Sequence, residues 1–264
     1  MQGCRLAQKE KRMKEIISGK SLVKTFGQGQ EKRRVLDEVN ISVEEGEFLS
    51  IMGPSGSGKS TLLYACSGMD GVDGGTIAFC GKELSSFREK ELADLRRTQM
   101  GFVFQQPSLL KNLNILDNIV FPSLRDRRKN TREIVERAKV LMERTGISGL
   151  EKRKITQVSG GQLQRAGICR ALMNRPEIVF GDEPTGALNS KASEEIMDLF
   201  TEINEQGTAV MLVTHDAKIA ARTRRVLFLS DGRVAGELEL PKAGGLSRAA
   251  KMNKVMEKMH LLGI

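Results

Sequence analysis

The feature that most constrains this chain is a glycine-rich turn between an apolar strand and a helix, in the stretch FLSIMGPSGSGKSTLL at residues 48–63. Gly53 and Gly58 stand five residues apart and are followed by Lys59 and Ser60, which is the pattern of a phosphate loop. Glycines let backbone N–H groups curl around a phosphate, and the helix N-terminus adds donors and partial positive charge. The stretch therefore predicts a nucleotide-binding site.

Two residues of this loop have specific expected roles. Lys59 should reach the outer phosphates, and the Ser60 hydroxyl should coordinate Mg²⁺. The alternative, a strand–helix turn that binds nothing, is disfavoured because the motif is complete and stands in its required context. The residues expected to contact the nucleotide here are Gly53, Ser55, Gly56, Ser57, Gly58, Lys59, Ser60 and Thr61.

Composition limits the other functions that the chain could have. No apolar run reaches the roughly 18 to 20 residues that cross a bilayer, and the N-terminus lacks the apolar segment of a secretory signal. The net charge of +9 comes from scattered basic residues, and one Tyr and no Trp leave few stacking platforms for nucleic acid. We therefore expect solvated helix faces and no nucleic-acid partner.

The cysteines indicate a reducing compartment. Cys4, Cys66, Cys80 and Cys169 show no paired metal-ligand spacing, and three of them stand in apolar contexts. The sequence therefore predicts reduced core residues of a cytosolic protein.

The order of patterns along the chain predicts an α/β fold. Short alternating segments at 19–25, 34–43, 48–52 and 75–79 predict an antiparallel piece, and a helical insert is expected at about 106–158. After Ser159, helices and strands alternate, which predicts a parallel sheet covered by helices. The expected divisions are a basic N-terminal extension at 1–17, a main domain at 18–240 and an amphipathic helical tail at 241–264. The apolar stripe of the tail is expected to pack on the chain's own core rather than on a partner.

Polar residues follow three apolar strands, where ligands bind in open α/β sheets. Asp182 and Glu183 end the run that begins at Ile178, so Asp182 could hold Mg²⁺ through water and Glu183 could polarise an attacking water. His215 follows the strand AVMLVT and could donate to a γ-phosphate. Gln105 follows GFVF and could reach Mg²⁺ or the attacking water, or could be only a polar turn residue.

A second helix start combines a good N-cap, Ser159, with Gly160, Gly161 and Gln162. A plain helix cap is the simpler explanation. However, one nucleotide has no need for two anion-binding helix ends in one chain, so this end could serve a nucleotide held by another copy.

Together these motifs resemble those of the ATP-binding subunits of ABC transporters, in family order over roughly residues 18–240. GPSGSGKST resembles the Walker A motif, Gln105 the Q-loop, VSGGQ the signature, IVFGDE the Walker B motif, GALNS the D-loop and His215 the H-loop. Phe26 matches the aromatic position that stacks on adenine. The resemblance implies a P-loop NTPase (RecA-like) core with an antiparallel β subdomain and a helical subdomain that carries the signature.

The resemblance further implies two copies packed head to tail, with each ATP between one phosphate loop and the partner copy's signature. Lys59, Gln105, Glu183 and His215 would be catalytic, and Ser60, Gln105 and Asp182 would hold Mg²⁺. Val158 replaces the commoner Leu, with little expected effect. Asn189 replaces the Asp of many relatives, which leaves in doubt an electrostatic role for this position across the dimer interface.

Three passages are GEFLSIMGPSGSGKSTLL at 46–63, LRRTQMGFVFQQ at 95–106 and DEPTGALNSKASEEIM at 182–197. They resemble the macrolide-export, lipoprotein-release, cell-division and bacitracin-type peptide-antibiotic subgroup. The partner would then be a membrane permease with few helices and a large extracellular part, and the chain would lie peripherally on the cytoplasmic side of the membrane. Export of or resistance to antimicrobial peptides is the favoured function, and lipoprotein release or cell division is the alternative. A soluble ABC ATPase and an ATP-binding regulator without catalysis belong to other classes.

Overall fold

The computed structural model describes residues 14–27, 29–125, 130–241 and 245–264. The strands are β1 Glu15–Phe26, β2 Arg33–Glu44, β3 Phe48–Met52, β4 Gly74–Phe79, β5 Lys82–Glu83, β6 Met100–Phe104, β7 Ile178–Asp182, β8 Ala209–Val213, β9 Arg225–Ser230 and β10 Arg233–Glu239. The helices are α1 Lys59–Cys66, α2 Glu89–Gln99, α3 Ile115–Val120, α4 Thr131–Arg144, α5 Gly160–Leu172, α6 Ser190–Glu205, α7 Ala217–Ala220 and α8 Arg248–Leu261.

The central sheet has six strands in the order β10-β9-β3-β8-β7-β6, and all neighbours except β10 and β9 run parallel. Every residue of β3 and β8 is buried, as expected for parallel strands covered on both faces. The assignment of residues 48–52 to the antiparallel piece was therefore wrong. The continuous apolar run FLSIM, which does not alternate, was the signal for a central strand.

The second sheet has the order β2-β1-β4-β5 and is antiparallel throughout, as predicted. Strand β1 begins at Glu15, inside the segment that was expected to be a basic extension. Ile16 and Ile17 are buried in the core, and their apolar side chains explain why the chain is part of the sheet here. Residues 1–13 of that extension, which include Cys4, lie outside the described residues.

The segment between β6 and α5 folds as a helical unit with its own core. Helices α3, α4 and α5 share a cluster that includes Ile119, Ala138, Leu141 and Cys169. One isolated bridge, between residues 114 and 154, is the only β pairing in the described part of this segment. The unit carries the start of α5, with its Ser-Gly-Gly cap, and the rest of α5 packs on β6 of the central sheet through Ile168 and Ala171.

The C-terminal helix packs on the chain's own core, the more favoured of the two expectations. Val255 of α8 is buried in a cluster with Met52, Val226, Phe228 and Leu240. Strand β10 was not predicted, because its residues alternate between exposed and half-buried positions without a strong apolar run. No helix in the described ranges is both long and apolar enough to cross a membrane.

The described cysteines match their sequence contexts. Cys66 and Cys169 are buried and Cys80 is half-buried, and no disulfide joins these three. Burial raises the pKa of the Cys66 and Cys169 thiols to about 12, so both stay protonated and unreactive at neutral pH.

Packing of α8 predicts a clear difference between two neighbouring residues. Val255→Ala should lower the free energy of unfolding by about 2 kcal/mol, because it removes two buried methyl groups and leaves a cavity. Met256 is 52% exposed, so Met256→Ala should change it by less than about 0.5 kcal/mol. Urea-induced unfolding measures both, and equal effects would contradict the packing of α8 described above.

Candidate nucleotide-binding site

The phosphate loop joins the end of β3 to the start of α1, and two of its glycines are required by packing. A Cβ on Gly53 would lie 1.9 Å from the carbonyl oxygen of Leu229, and one on Gly58 would lie 2.5 Å from that of Val35. Both residues also have positive φ, 154° and 99°. Gly56 has φ 76°, and a Cβ there would meet one atom within 4 Å, the Arg33 Nη2 at 3.9 Å, so its missing side chain leaves the loop accessible to a ligand.

Lys59 is folded against the loop from which it projects. Its Nζ donates to the carbonyl oxygens of Gly53 at 2.9 Å and Pro54 at 2.8 Å, and the residue is only 8% exposed. Burial lowers the pKa of Lys59, and the carboxylates of Glu183 and Asp182 oppose this. The positive charge is thus held at the phosphate loop and faces two carboxylates.

Asp182 lies at the C-terminal end of β7, and two hydroxyl groups of α1 hold its carboxylate. The Ser60 Oγ donates to Oδ1 at 2.9 Å, and the Tyr64 hydroxyl donates to Oδ2 at 2.6 Å. Burial, together with the bond to Asp182, raises the pKa of Tyr64 to about 12. The expected pair of Ser60 and Asp182 is therefore brought together, with Tyr64 as a third member that the sequence analysis missed.

Glu183 follows directly and has a left-handed backbone conformation, with φ 46°. Its N–H still donates to the Val213 carbonyl at 3.0 Å, so the chain turns without losing its bond to β8. Its Oε1 lies 3.1 Å from Nδ1 of His215, which is largely exposed. A non-glycine residue held at positive φ in a ligand-binding position is typical of a functional site.

Gln105 follows β6, and its side chain lies near that of Glu183. Both side chains reach the same place beside Gly186. A Cβ on that glycine would lie 2.8 Å from the Gln105 Nε2 and 3.3 Å from the Glu183 Oε2. Gln105 makes no hydrogen bond with Ser60 or Asp182 within the described residues. The metal-binding role of Gln105 thus stays a prediction.

The signature segment is well capped but does not meet the phosphate loop of its own chain. The Ser159 N–H donates to the side chain of Gln162 at 2.8 Å, and the Gln162 N–H donates to the Ser159 Oγ at 3.3 Å. Positions 160 and 161 lie next to Leu188 and Ala192. Among the described hydrogen bonds, none joins this segment to the phosphate loop.

Asn189, the residue that departs from the family pattern, is the N-cap of α6. Its Oδ1 accepts a hydrogen bond from the Ala192 N–H at 2.9 Å. A neutral amide thus satisfies the helix end that a carboxylate could also cap.

The aromatic residue expected to stack on adenine is exposed. Phe26 ends β1 with 47% of its surface exposed, and the Lys24 Nζ lies 5.3 Å from its ring centroid. Arg33 pairs with Phe26 across β1 and β2, and its Nη2 lies 3.9 Å from the point that a Cβ on Gly56 would occupy. Arg33 was not among the residues predicted from the sequence, although it is a basic residue just before the apolar part of β2.

The donor atoms suit Mg²⁺ bound together with a nucleotide. Ser60, Gln105 and Asp182 offer only oxygen ligands of the hard type that Mg²⁺ prefers. The described part of the chain has no group of three or more His, Cys, Asp or Glu residues that could hold a metal. Such a set fits an ion that takes its other ligands from phosphates and water.

A phosphate loop on a parallel sheet, with Asp182 and Glu183 at the end of a nearby strand, defines a P-loop nucleotide-binding protein of the α/β class. The sequence model described as ABC transporter matches residues 36–186. The chain therefore belongs to the ABC transporter family and is an ATP-binding cassette, which confirms the resemblance of its motifs.

The relatives include three functional kinds. The macrolide export ATP-binding/permease protein MacB of Pasteurella multocida is 38% identical over 94% of this chain, which spans 38% of that protein's length. The lipoprotein-releasing system ATP-binding protein LolD of Aquifex aeolicus is 42% identical over 86% of this chain and 99% of its own. The bacitracin export ATP-binding protein BceA of Halalkalibacterium halodurans is 37% identical over 94% of this chain and 97% of its own length.

A solved structure agrees with the fold. The dimeric post-hydrolysis state of the ATP-binding cassette MJ0796, bound to ADP and Pi, has a TM-score of 0.80 and 38% identity. The match covers 85% of this chain and 99% of that one. The predicted α/β P-loop fold is thereby confirmed.

The loop geometry predicts different costs for alanine at two glycines. Gly53→Ala should lower the free energy of unfolding by more than about 3 kcal/mol, because the methyl group would overlap a backbone carbonyl. Gly56→Ala should cost only the left-handed strain of about 1–2 kcal/mol. Urea-induced unfolding compares them, and a Gly53→Ala protein as stable as Gly56→Ala would contradict this geometry.

Proposed function

We propose that two copies of this chain close head to tail on two ATP molecules, hydrolyse them, and drive a membrane permease. The observation that carries this proposal is the exposed Ser159 helix start, which is capped but makes no hydrogen bond to its own phosphate loop. Helix N-termini of this kind bind anions. The dimeric MJ0796 cassettes support an arrangement in which the partner copy supplies the second helix end.

Each residue of the site then has a role in hydrolysis. Lys59 moves from the loop carbonyls to the outer phosphates, and Phe26 stacks on the adenine while Arg33 adds positive charge beside Gly56. Mg²⁺, held by Ser60, by Asp182 through water and by Gln105, would neutralise charge on the β- and γ-phosphates.

The water-activating step belongs to the residues at the ends of β7 and β8. Glu183 accepts a proton from the attacking water, since its carboxylate stands at the strand end where the γ-phosphate would lie. His215 holds Glu183 through Nδ1, which is the donor when Glu183 is ionised, because a carboxylate only accepts. The other ring nitrogen, Nε2, can donate to the γ-phosphate when the imidazole carries both protons, because in a neutral ring with the proton on Nδ1 it is an acceptor.

Replacing the proposed base separates ATP binding from hydrolysis. Glu183→Gln should lower the rate of phosphate release by about 10²-fold or more, because the amide cannot accept the proton. ATP should still drive dimer formation, measured by size-exclusion chromatography. Glu177→Gln, at an exposed carboxylate before β7, is the control and should keep the parent rate.

Two results would contradict this scheme. One is a Glu183→Gln protein that hydrolyses ATP at the parent rate. The other is a parent protein whose specific activity stays constant on dilution below the concentration at which dimers form, since half of each site would then be dispensable.

A groove beside the helical unit is the proposed docking surface for the permease. It has a volume of about 410 Å³, and its lining includes Phe102, Phe104, Leu110 and Phe121. Leu110 and Phe121 are 45% and 57% exposed. Within residues 109–119, next to this groove, three apolar residues are buried in the helical core and do not face a partner, namely Leu109, Ile115 and Ile119.

The occupant that we propose is a short cytoplasmic helix of the permease, with one apolar face and an acidic flank. Arg96, Arg97 and Arg170 lie along the groove and complement such a flank. The MacB relative is named as both ATP-binding and permease protein, and this chain spans only 38% of it. A permease of this kind would hold the ATP-binding cassette on the cytoplasmic side of the membrane.

The favoured transport class is antimicrobial-peptide export or resistance, with a permease that has few helices and a large extracellular part. The likeness to BceA supports it, because that match covers 94% of this chain and 97% of BceA, although MacB matches as much of this chain and LolD is more identical, at 42% against 37%. Lipoprotein release is the alternative, and identification of the co-purified permease would decide between them.

If the permease docks in this groove, the exposed residue Phe121 should determine how much permease co-purifies with the chain. Phe121→Asp should lower the amount of permease that co-purifies in detergent by about tenfold, because a charge in an apolar contact is costly. ATP hydrolysis by the isolated chain should not change. Val140→Asp on α4, where the side chain is 55% exposed, is the matched control. Full recovery with Phe121→Asp would exclude this groove as the docking surface.

A further inference from the structure

We propose that Tyr64 is a positioning residue for Asp182, which it holds by one carboxylate oxygen so that the other stays directed at the metal site. The inference rests on the proposed binding of Mg-ATP. The Tyr64 hydroxyl donates to Oδ2 at 2.6 Å, while the Ser60 Oγ donates to Oδ1 at 2.9 Å. The two carboxylate oxygens are thus held by different donors.

The helix geometry explains why these two residues reach the same carboxylate. Ser60 and Tyr64 are four residues apart on α1, so their side chains lie on one face of the helix. The short Ser60 side chain acts near the phosphate loop, and the longer phenol reaches Asp182 from the next turn. Both sides of the contact come from rigid elements, α1 and the end of β7.

Binding of a nucleotide with its metal makes the two donors unequal. The Ser60 hydroxyl is then required as a ligand and can no longer orient Asp182 in the same way. Within the described residues, Tyr64 is the other side-chain donor to Asp182. Its phenol does not bind the metal, so Tyr64 is the contact that persists when the site is filled.

Tyr64 is itself fixed at the C-terminal end of α1. Its carbonyl oxygen accepts from the Ser67 Oγ at 3.0 Å, the Met69 N–H at 3.0 Å and the Asp70 N–H at 3.2 Å. The backbone is thereby held on one side and the hydroxyl on the other. Partners that orient a metal ligand typically change metal affinity by about 10- to 100-fold when removed.

The first test is spectroscopic and needs no catalysis. Tyr64 is the single tyrosine of the chain, which has no tryptophan, so tyrosine emission reports this one side chain. Tyrosine emission is quenched when the phenol O–H donates a hydrogen bond to a carboxylate. Asp182→Asn should therefore raise it, and Asp198→Asn, at an exposed carboxylate on α6, should not. Equal emission from the parent and Asp182→Asn in the folded state would overturn the proposal.

The second test measures how much Mg²⁺ improves nucleotide binding. In a Glu183→Gln background, the affinity for a fluorescent ATP analogue is measured with Mg²⁺ and with EDTA. Tyr64→Phe should reduce the gain due to Mg²⁺ by about tenfold and leave the affinity in EDTA unchanged. Ser86→Ala removes an exposed hydroxyl that donates to the Glu83 carbonyl and is bonded to neither Tyr64 nor Asp182, so it should keep the full gain.

The outcomes separate this inference from the proposed function. A folded Tyr64→Phe protein that keeps the full Mg²⁺ gain would overturn the positioning role. If Tyr64→Phe does not fold, the emission of Asp182→Asn decides the matter alone. If the parent binds Mg-ATP without hydrolysing it, the proposed function fails, whereas loss of the gain in Tyr64→Phe still supports the role of Tyr64.

Discussion

The contact between the hydroxyl groups of α1 and the carboxylate of Asp182 holds the nucleotide site together. It joins the helix that follows the phosphate loop to the end of β7, although β8 lies between β3 and β7 in the sheet. The loop alone could bind phosphate with its backbone. Together with the pairing of β3, β8 and β7, this link holds a carboxylate 2.9 Å from the Ser60 Oγ, and Glu183 is the next residue.

Close backbone packing around the phosphate loop also fixes the geometry of the nucleotide site. Gly53 and Gly58 lie against the carbonyl oxygens of Leu229 and Val35, so the turn is clamped between the two sheets before any ligand arrives. A site whose donors are already oriented loses little conformational entropy on binding. At Gly56, in contrast, a Cβ would have only ordinary van der Waals contact, with the flexible end of Arg33 at 3.9 Å. The loop thus combines a rigid base with one accessible surface, which suits a phosphate that must enter and leave.

Much of this arrangement was predictable from the sequence, because the motifs encode local backbone geometry. The phosphate loop, the Asp182–Glu183 pair and His215 each follow an apolar strand, so parallel packing brings them to one edge. Tyr64 and Arg33 were missed since their roles depend on neighbours from other elements. Strand β3 was misplaced because a five-residue apolar run does not reveal its partners, and β10 was missed because it lacks such a run.

The position of Gln105 suggests how hydrolysis could be communicated to the groove. Gln105 directly follows β6, whose Phe102 and Phe104 line the groove, and its side chain approaches Glu183 near Gly186. A change at the γ-phosphate that moves Glu183 or Gln105 would therefore also shift the end of β6. Since the helical unit begins just after this residue and also carries the signature, one short segment connects the ATP, the partner copy and the surface proposed for the permease. Closure on ATP can bias all three only if this segment has two stable arrangements.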